Sequence, residues 1–468
     1  MNATEICFTP ALELARRIRV KELSPVEVTR IILERIEALN PRLNAYCTLT
    51  AEAALEAARG LEKRILRGED PGPLGGVPYS IKDLILTRGV RTMRGSKIYE
   101  HFIPEEDAPA VQRLRDAGGI LLGKTCTSEF GWKGVTDTVV TGITRNPWDL
   151  NCTPGGSSGG AAAQVAAGLG PVAVGTDGGG SIRIPAGFSG IFGIKPSFGR
   201  VPTYPASGHD QLSHAGPLTR TVADAALMLG ILAGPHESDR FSLEAPPQNY
   251  LARLQEGVKG LRVAWSPDLG YARVHPEVHA LTERAARAFE SLGCLVEEQD
   301  PGLGDPTDAF MVIYLMGVAG GLSALLEEWE PHLDPGLVRV IREGRTVSGL
   351  QLTQAQQARH QLWDRTRRFF ERYDLLLTPT LAVPAFPVGQ LTPEGKDADL
   401  RSAFAWTPFT YPFNLTGNPA ASLPVGFTTT GLPVGLQVVG RRFADLTVLQ
   451  ASAAFETAHP WAHSRPPL

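Results

Sequence analysis

The chain has 468 residues, 43% of them hydrophobic and 20% charged. That is enough apolar material to bury a large core, and it excludes a disordered or low-complexity chain. The 45 basic and 49 acidic side chains are interspersed and leave a net charge of −4, which argues against nucleic acid as a partner.

Taken in chain order, the N-terminus carries Glu5, Glu13, Arg16 and Arg17 early and has no apolar run, so no signal peptide is expected. Residues 9–22 show helical spacing of apolar positions. Ser24-Pro25 then opens a second helix, with serine as N-cap and proline at the first position. Its stripe is Val28, Ile31, Ile32, Ile36 and Leu39, and it is expected to stop at Asn40-Pro41. A third helix is expected over 51–67. These helices read as outer layers.

Gly75 to Leu86, GGVPYSIKDLIL, reads as a strand that contains a lysine, Lys82. Its apolar neighbours Tyr79, Ile81 and Leu84 allow two readings. Lys82 is an edge-strand lysine reaching water, or it is a buried amine whose pKa falls because burial disfavours the charged form. A helix over 111–117 and a short strand over 120–122 follow.

The stretch from Thr153 to Arg200 is dense in glycine and holds two serines in glycine runs, Ser157 in GGSSGG and Ser181 in GGGSIR. Glycine loses more backbone entropy on ordering than any other residue, so such density signals a need for backbone freedom or close approach. A flexible linker would not be followed by the apolar IRIPAGFSGIFGIKP. The P-loop pattern is absent, and the run from Gly175 to Gly180 is too glycine-saturated to be diagnostic of a dinucleotide site. Serine chemistry remains. Successive backbone N–H groups before Ser181 can converge on one point and hold an oxyanion. A serine nucleophile needs a base, the stretch contains no histidine, and a Ser–Lys arrangement is a known variant of the triad.

Further on, strands are expected at 172–174, 191–194, 261–265, 375–378 and 436–439, with helices at 221–232, 276–292 and 353–373. This alternation predicts an α/β fold, a sheet with helices covering both faces. There is no internal repeat. Ala309 to Leu326 is 18 residues without a charge. It sits at the short limit for a membrane span and is expected to be a buried helix. Leu381 to Pro393 reads as a surface loop. The five cysteines (Cys7, Cys47, Cys126, Cys152, Cys294) have neither disulfide-framework nor zinc spacing, so free thiols in a reducing cytoplasm are expected.

GGSSGG, TDGGGSIRIPA and the following GIFGIKPSFGRVP together resemble the amidase signature family of serine hydrolases. Ser157 and Ser181 stand 24 positions apart (157 to 181), as that family requires. Lys82 in GVPYSIKDL stands 75 positions before Ser157 (82 to 157). The resemblance continues through HAGPLTRTVADAALML (214–229) and FTYPFNLTGNPAASLPVG (409–426). It implies that Ser181 is the nucleophile, Ser157 the bridging serine behind a cis peptide bond, and Lys82 the base. Backbone N–H groups of Gly178, Gly179, Gly180 and Ser181 would hold the oxyanion. Ser158, Asp177 and Arg183 match supporting positions. Three positions depart from the family's frequent residues: Cys126 for Asn, Cys152 for Arg and Ala161 for Ser.

The implied architecture is a large mixed sheet in one amidase domain over 1–468. Its parts would be an N-terminal helical layer (1–69), a signature core (70–234), a variable and largely helical insert (235–370) and a C-terminal part of the core (371–468). The implied activity is hydrolysis of a carboxamide, with no cofactor or metal. The expected partner is a small amide, not nucleic acid or membrane, and a homodimer stays open. The alternative is the glutaminase subunit of a tRNA-dependent amidotransferase, whose tyrosine-rich stretch before the late helix is missing here. A non-catalytic binding protein fits poorly with retention of Lys82, Ser157 and Ser181. Ala309–Leu326 and 406–413 are the expected pocket walls.

Overall fold

The computed structural model describes residues 1–206, 208, 210–244, 248–395 and 399–468. In chain order the strands are β1 (Tyr46–Leu49), β2 (Pro78–Lys82), β3 (Ile120–Thr125), β4 (Asp137–Thr138), β5 (Gly142–Ile143), β6 (Val172–Asp177), β7 (Phe192–Lys195), β8 (His214–Thr219), β9 (Arg262–Trp265), β10 (Leu295–Glu298), β11 (Leu375–Pro379), β12 (Ala420–Phe427) and β13 (Pro433–Gly440). Eleven of them form one sheet in the order β1-β3-β2-β6-β8-β7-β12-β13-β11-β9-β10, and β4 pairs with β5 apart from it. The sheet is mixed. β2 runs parallel to both β3 and β6, and β9 runs parallel to β10 and β11. β12 and β13 pair antiparallel at its centre.

Side chains alternate across a strand, and the core follows that alternation. Leu375 and Leu377 enter one apolar cluster with helical residues such as Leu229, Phe289 and Leu449. Leu376, between them, enters a second cluster with Phe310, Val338 and Leu362. Helices therefore cover both sheet faces, as the alternating pattern predicts.

Several boundaries differ from expectation, each for a local reason. The helix Pro25–Leu43 runs through Asn40-Pro41 instead of stopping there. Proline costs the helix only one N–H so near its end. Asn40 compensates, because its Oδ1 accepts from the amides of Ala45 and Tyr46 at 2.9 Å each. Leu381–Pro393 is not a surface loop. Leu381, Ala382, Ala385 and Phe386 are buried, the Phe386 carbonyl accepts from the Thr153 amide, and its ring meets Phe188 and Trp406 edge-on.

The stretch 235–370, expected to be largely helical, also contributes β9 and β10 to the sheet edge. The uncharged run at 309–326 begins as the helix Thr307–Leu322 and continues in short turns. By length and composition alone it could cross a membrane. In the fold it packs against the helices Pro335–Thr346 and Gly349–Phe369. A Cβ on Gly344 would stand 2.2 Å from the Leu315 carbonyl oxygen, so glycine is what lets the first two come so close.

Candidate active site

β2 and β6 are parallel neighbours, so their C-terminal ends emerge on the same edge of the sheet. Lys82 is the last residue of β2, and Thr176 and Asp177 end β6. The glycine run and Ser181 follow at once, leading into the helix Arg183–Ser189. Crevices outside the carboxyl ends of parallel strands are the usual place for a site in such sheets.

Lys82 is fully buried. Its Nζ lies 2.7 Å from Ser157 Oγ and 2.9 Å from Thr176 Oγ1. Burial drives its pKa well below the ordinary lysine value, against the opposing pull of the Asp177 charge. The edge-strand reading of Lys82 is thereby excluded. Asp83 lies beyond the strand end, in the turn that follows. Its carboxylate accepts from the Met93 amide at 3.0 Å, and burial raises its pKa to about 6 while Lys124 opposes the rise.

Ser157 sits on a loop that only glycines can build. The Gly156–Ser157 peptide bond is cis. A Cβ on Gly156 would stand 2.6 Å from the Val135 backbone. Thr136 Oγ1 donates to the Gly155 carbonyl at 2.9 Å and accepts from the Gly159 amide at 3.1 Å, which pins the loop from both sides. The helix Gly159–Ala166 then starts against the sheet.

Ser158 joins the two serine segments. Its amide donates to the Ser181 carbonyl at 3.2 Å. Its hydroxyl donates to the Thr176 carbonyl at 3.2 Å and accepts from the Thr176 amide at 3.3 Å. Ser181 is half-buried and borders the same pocket as Ser157. Among the described residues no hydrogen bond joins the two hydroxyls in this conformation.

Asp177 and Arg183 form a fully buried ion pair. Arg183 Nε and Nη2 each donate to the Asp177 carboxylate at 3.0 Å. The rest of the guanidinium reaches the Thr410 carbonyl, Gln437 Oε1 and Asn414 Oδ1 at 2.6–2.8 Å. Burial works to raise the Asp177 pKa, but Arg183 overrides it and holds the carboxyl far below the usual range. A buried pair with every donor and acceptor satisfied is a rigid support.

This pair corrects one expectation. The Gly180 amide donates to Asp177 Oδ1 at 2.7 Å, so it is turned inward and spent. The amides of Gly178, Gly179 and Ser181 belong to residues that border the pocket. Gly180 is therefore removed from the oxyanion donors and becomes part of the support. Its φ of +133° and a Cβ position 2.5 Å from Thr410 Oγ1 explain why it is glycine.

The pocket above Ser157 and Ser181 has a volume of about 280 Å³. Its walls include the aromatic rings of Phe130, Trp132, Phe310, Tyr314, Phe404 and Trp406. Of the expected walls, Phe310 to Leu322 and Trp406-Thr407 contribute. Phe409, Tyr411 and Phe413 instead lie in the core beneath.

Thr176, Asn414, Gln437 and Thr410 serve the site without having been singled out from sequence. The last three come from 227 to 254 positions beyond Arg183; Thr410 and Asn414 lie in the motif over 409–426, but nothing in it pointed to contact with Arg183, and Gln437 lies outside every motif. Cys152 is buried, and burial with the nearby Asp149 pushes its thiol up to about 12, so it is an inert thiol. Cys126 is buried too, and all five cysteines are free.

Residues 27–449 match the family model described as Amidase. The chain belongs to the amidase signature family. It is 41% identical over 472 residues to an acylamidase of Rhodococcus erythropolis, covering 100% of this chain and 98% of that protein. It is 39% identical to a subunit of the glutamyl-tRNA(Gln) amidotransferase of Moorella thermoacetica, covering 99% of each. Among solved structures, a bacterial aryl acylamidase of this family superposes with a TM-score of 0.90 at 35% identity, covering 97% of each chain. A 6-aminohexanoate cyclic dimer hydrolase superposes at 0.91 and 31% identity, covering 98% of this chain and 99% of that one. This amidase-family member is accordingly an amide-hydrolysing enzyme with an α/β fold built on a large mixed sheet.

Proposed function

We propose that the enzyme hydrolyses a carboxamide to a carboxylate plus ammonia or an amine through an acyl-enzyme on Ser181, with all of 1–468 working as one unit. The observation that carries this reading is the buried Lys82 amine, 2.7 Å from Ser157 Oγ, with its pKa driven well down by burial. A neutral amine can accept a proton, and a desolvated lysine is one at working pH.

In the proposed sequence Lys82 takes the Ser157 proton as Ser157 takes that of Ser181. Ser181 Oγ bonds to the amide carbon, and the carbonyl electrons move to oxygen. The amides of Gly178, Gly179 and Ser181 hold that oxyanion, which preorganised donors stabilise better than water does. The proton on Lys82 returns through Ser157 to the amide nitrogen, the C–N bond breaks and the amine leaves. Water then enters by the same relay in reverse roles and frees the carboxylate.

Ser181→Ala tests the reading. Assayed against a panel of aliphatic and aryl amides with detection of ammonia or amine, the folded variant loses turnover entirely. Normal turnover in it would remove Ser181 as nucleophile.

The 39% identity to a chain of an amidotransferase supports a second reading, a glutaminase that works with partner chains. The pocket favours the first. Free glutamine carries an ammonium group that asks for a carboxylate, and the described pocket lining includes no Asp or Glu.

A further inference from the structure

Arg94 is the charge in the pocket that the reaction above leaves unused. The described lining holds two cations, Arg94 and Lys133. Lys133 is neutralised in place, ion-paired with Asp137 and, at 2.8 Å, with Asp334. Arg94 has no such partner. Its Nε is buried without a hydrogen bond, and no carboxylate pairs with its guanidinium among the described residues.

Its position is built. The guanidinium carbon lies 4.7 Å from the centre of the Tyr99 ring, a cation–π contact that orients the head group. The Arg94 amide donates to the carbonyl of Asp83, the residue after Lys82, and the Arg94 carbonyl accepts from the Phe130 amide at 2.9 Å. Arg94 and Phe130 both have left-handed backbones, with φ of +53° and +50°. Six non-glycine residues do so among those described, and these two border the pocket. Such a backbone is disfavoured for either side chain and persists where the surroundings impose it, most often at ligand sites. Gly131 follows Phe130, and a Cβ there would stand 3.2 Å from Ser157 Oγ. One hydrogen-bonded unit thus ties the unpaired guanidinium to the edge of the reacting centre.

A cation without a counter-ion in an aromatic, carboxylate-free cleft is incomplete until a ligand supplies the anion. Resting on the amidase reading above, we infer that Arg94 is a specificity residue that pairs with a carboxylate carried by the amide substrate, while the aromatic walls hold its apolar body. The planar fork of arginine suits a carboxylate bidentately. That carboxylate sits either on the acyl part or on the leaving amine.

Two matched substrate pairs separate these cases in the full-length enzyme. For the amine side they are 4-acetamidobenzoate and 4-methylacetanilide. For the acyl side they are 4-carbamoylbenzoate and 4-methylbenzamide. The readout is the ratio of kcat/KM, acid over methyl, within each pair. In the wild type the acid is preferred in one pair. Arg94→Asn, whose side chain tolerates a left-handed backbone, lowers that ratio about 10- to 100-fold, chiefly through KM. Arg94→Lys restores part of it, because charge returns without the fork. An unchanged ratio in Arg94→Asn, or preference for the methyl compound in both pairs, overturns the inference.

Recognition is also read without turnover, by calorimetric titration of terephthalate into Ser181→Ala and into Ser181→Ala combined with Arg94→Asn. Weaker binding in the second supports the inference and equal binding overturns it. Absence of turnover on all four compounds by the wild type would fall on the amidase reading instead.

Discussion

A lysine amine titrates near ~10.4 in water and is almost wholly charged at neutral pH. In this fold Lys82 is fully buried at the end of β2, and desolvation lowers its pKa well below that value. In the proposed mechanism the working form is the neutral one, so activity is expected to be lost as pH falls through the lowered pKa and regained as pH rises above it. The expected profile of kcat/KM climbs on the acid side and levels off at neutral to alkaline pH. Lys82→Ala loses about 10²–10⁴-fold, the usual worth of a general base. Lys82→Arg does not recover it, because a guanidinium stays charged. A pH–rate series on the three proteins checks this. A near-wild-type rate in Lys82→Arg with the acid limb in place would assign the base to another group.

The helix Gly159–Ala166 shows what the small residues are for. It is buried along its whole length and packs Ala161, Ala162 and Val165 against Ala173, Ile182 and Leu218. The loop that leads into its N-terminus carries Ser157, and Ser158 is its N-cap residue. A Cβ on Gly160 would stand 2.5 Å from both the Ala45 carbonyl oxygen and the Cys126 amide. Both contacts are backbone, which cannot swing aside. Gly160→Ala therefore overpacks this junction and lowers stability by about 1–3 kcal/mol. It also displaces Ser157 from Lys82, so kcat falls by more than the loss of folded protein explains. Thermal melts and active-site-normalised kcat check the two parts. Wild-type values in both would mean that the junction has room to yield. β12 adds a second case: the strand holds Pro424 and Gly426 by shifting register between them, as proline requires inside a sheet.

Across the whole molecule, the site depends on segments that meet only through the sheet. Arg183 reaches Thr410, Asn414 and Gln437; Gln437 lies on β13, and the other two lie in the turn and short helix Pro412–Leu415 before β12. The proposed reaction needs only Lys82, Ser157 and Ser181 with the amides of Gly178, Gly179 and Ser181. The isolated chain is therefore expected to hydrolyse amides on its own, with a rate per molecule independent of protein concentration and unchanged by added amidotransferase partner chains. Amide release that appears only with such partners, and with glutamine as donor, would move the protein to the second reading.

Sequence alone was sufficient for the parts whose determinants are local. The α/β alternation and the helices over 25–39 and 276–292 rest on periodicity and caps. Each is set by neighbours a few positions away. The sheet order, the strands β1, β8, β10 and β12, and the buried course of 381–393 were decided by tertiary packing. Short strands and strands containing Gly or Pro owe their existence to pairing partners far along the chain, not to their own pattern. The same division runs through the site. GGGS marks a place where amides can converge, but the Asp177 carboxylate behind it decides that the Gly180 amide turns inward. Nothing local in the sequence marks Arg94; the fold sets its guanidinium over Tyr99, in a pocket lining it shares with Ser157 and in which the described residues include no carboxylate. Charge in a sequence is a count, whereas charge in a cleft is set by which counter-ions the fold brings near, and long-range contacts alone determine that.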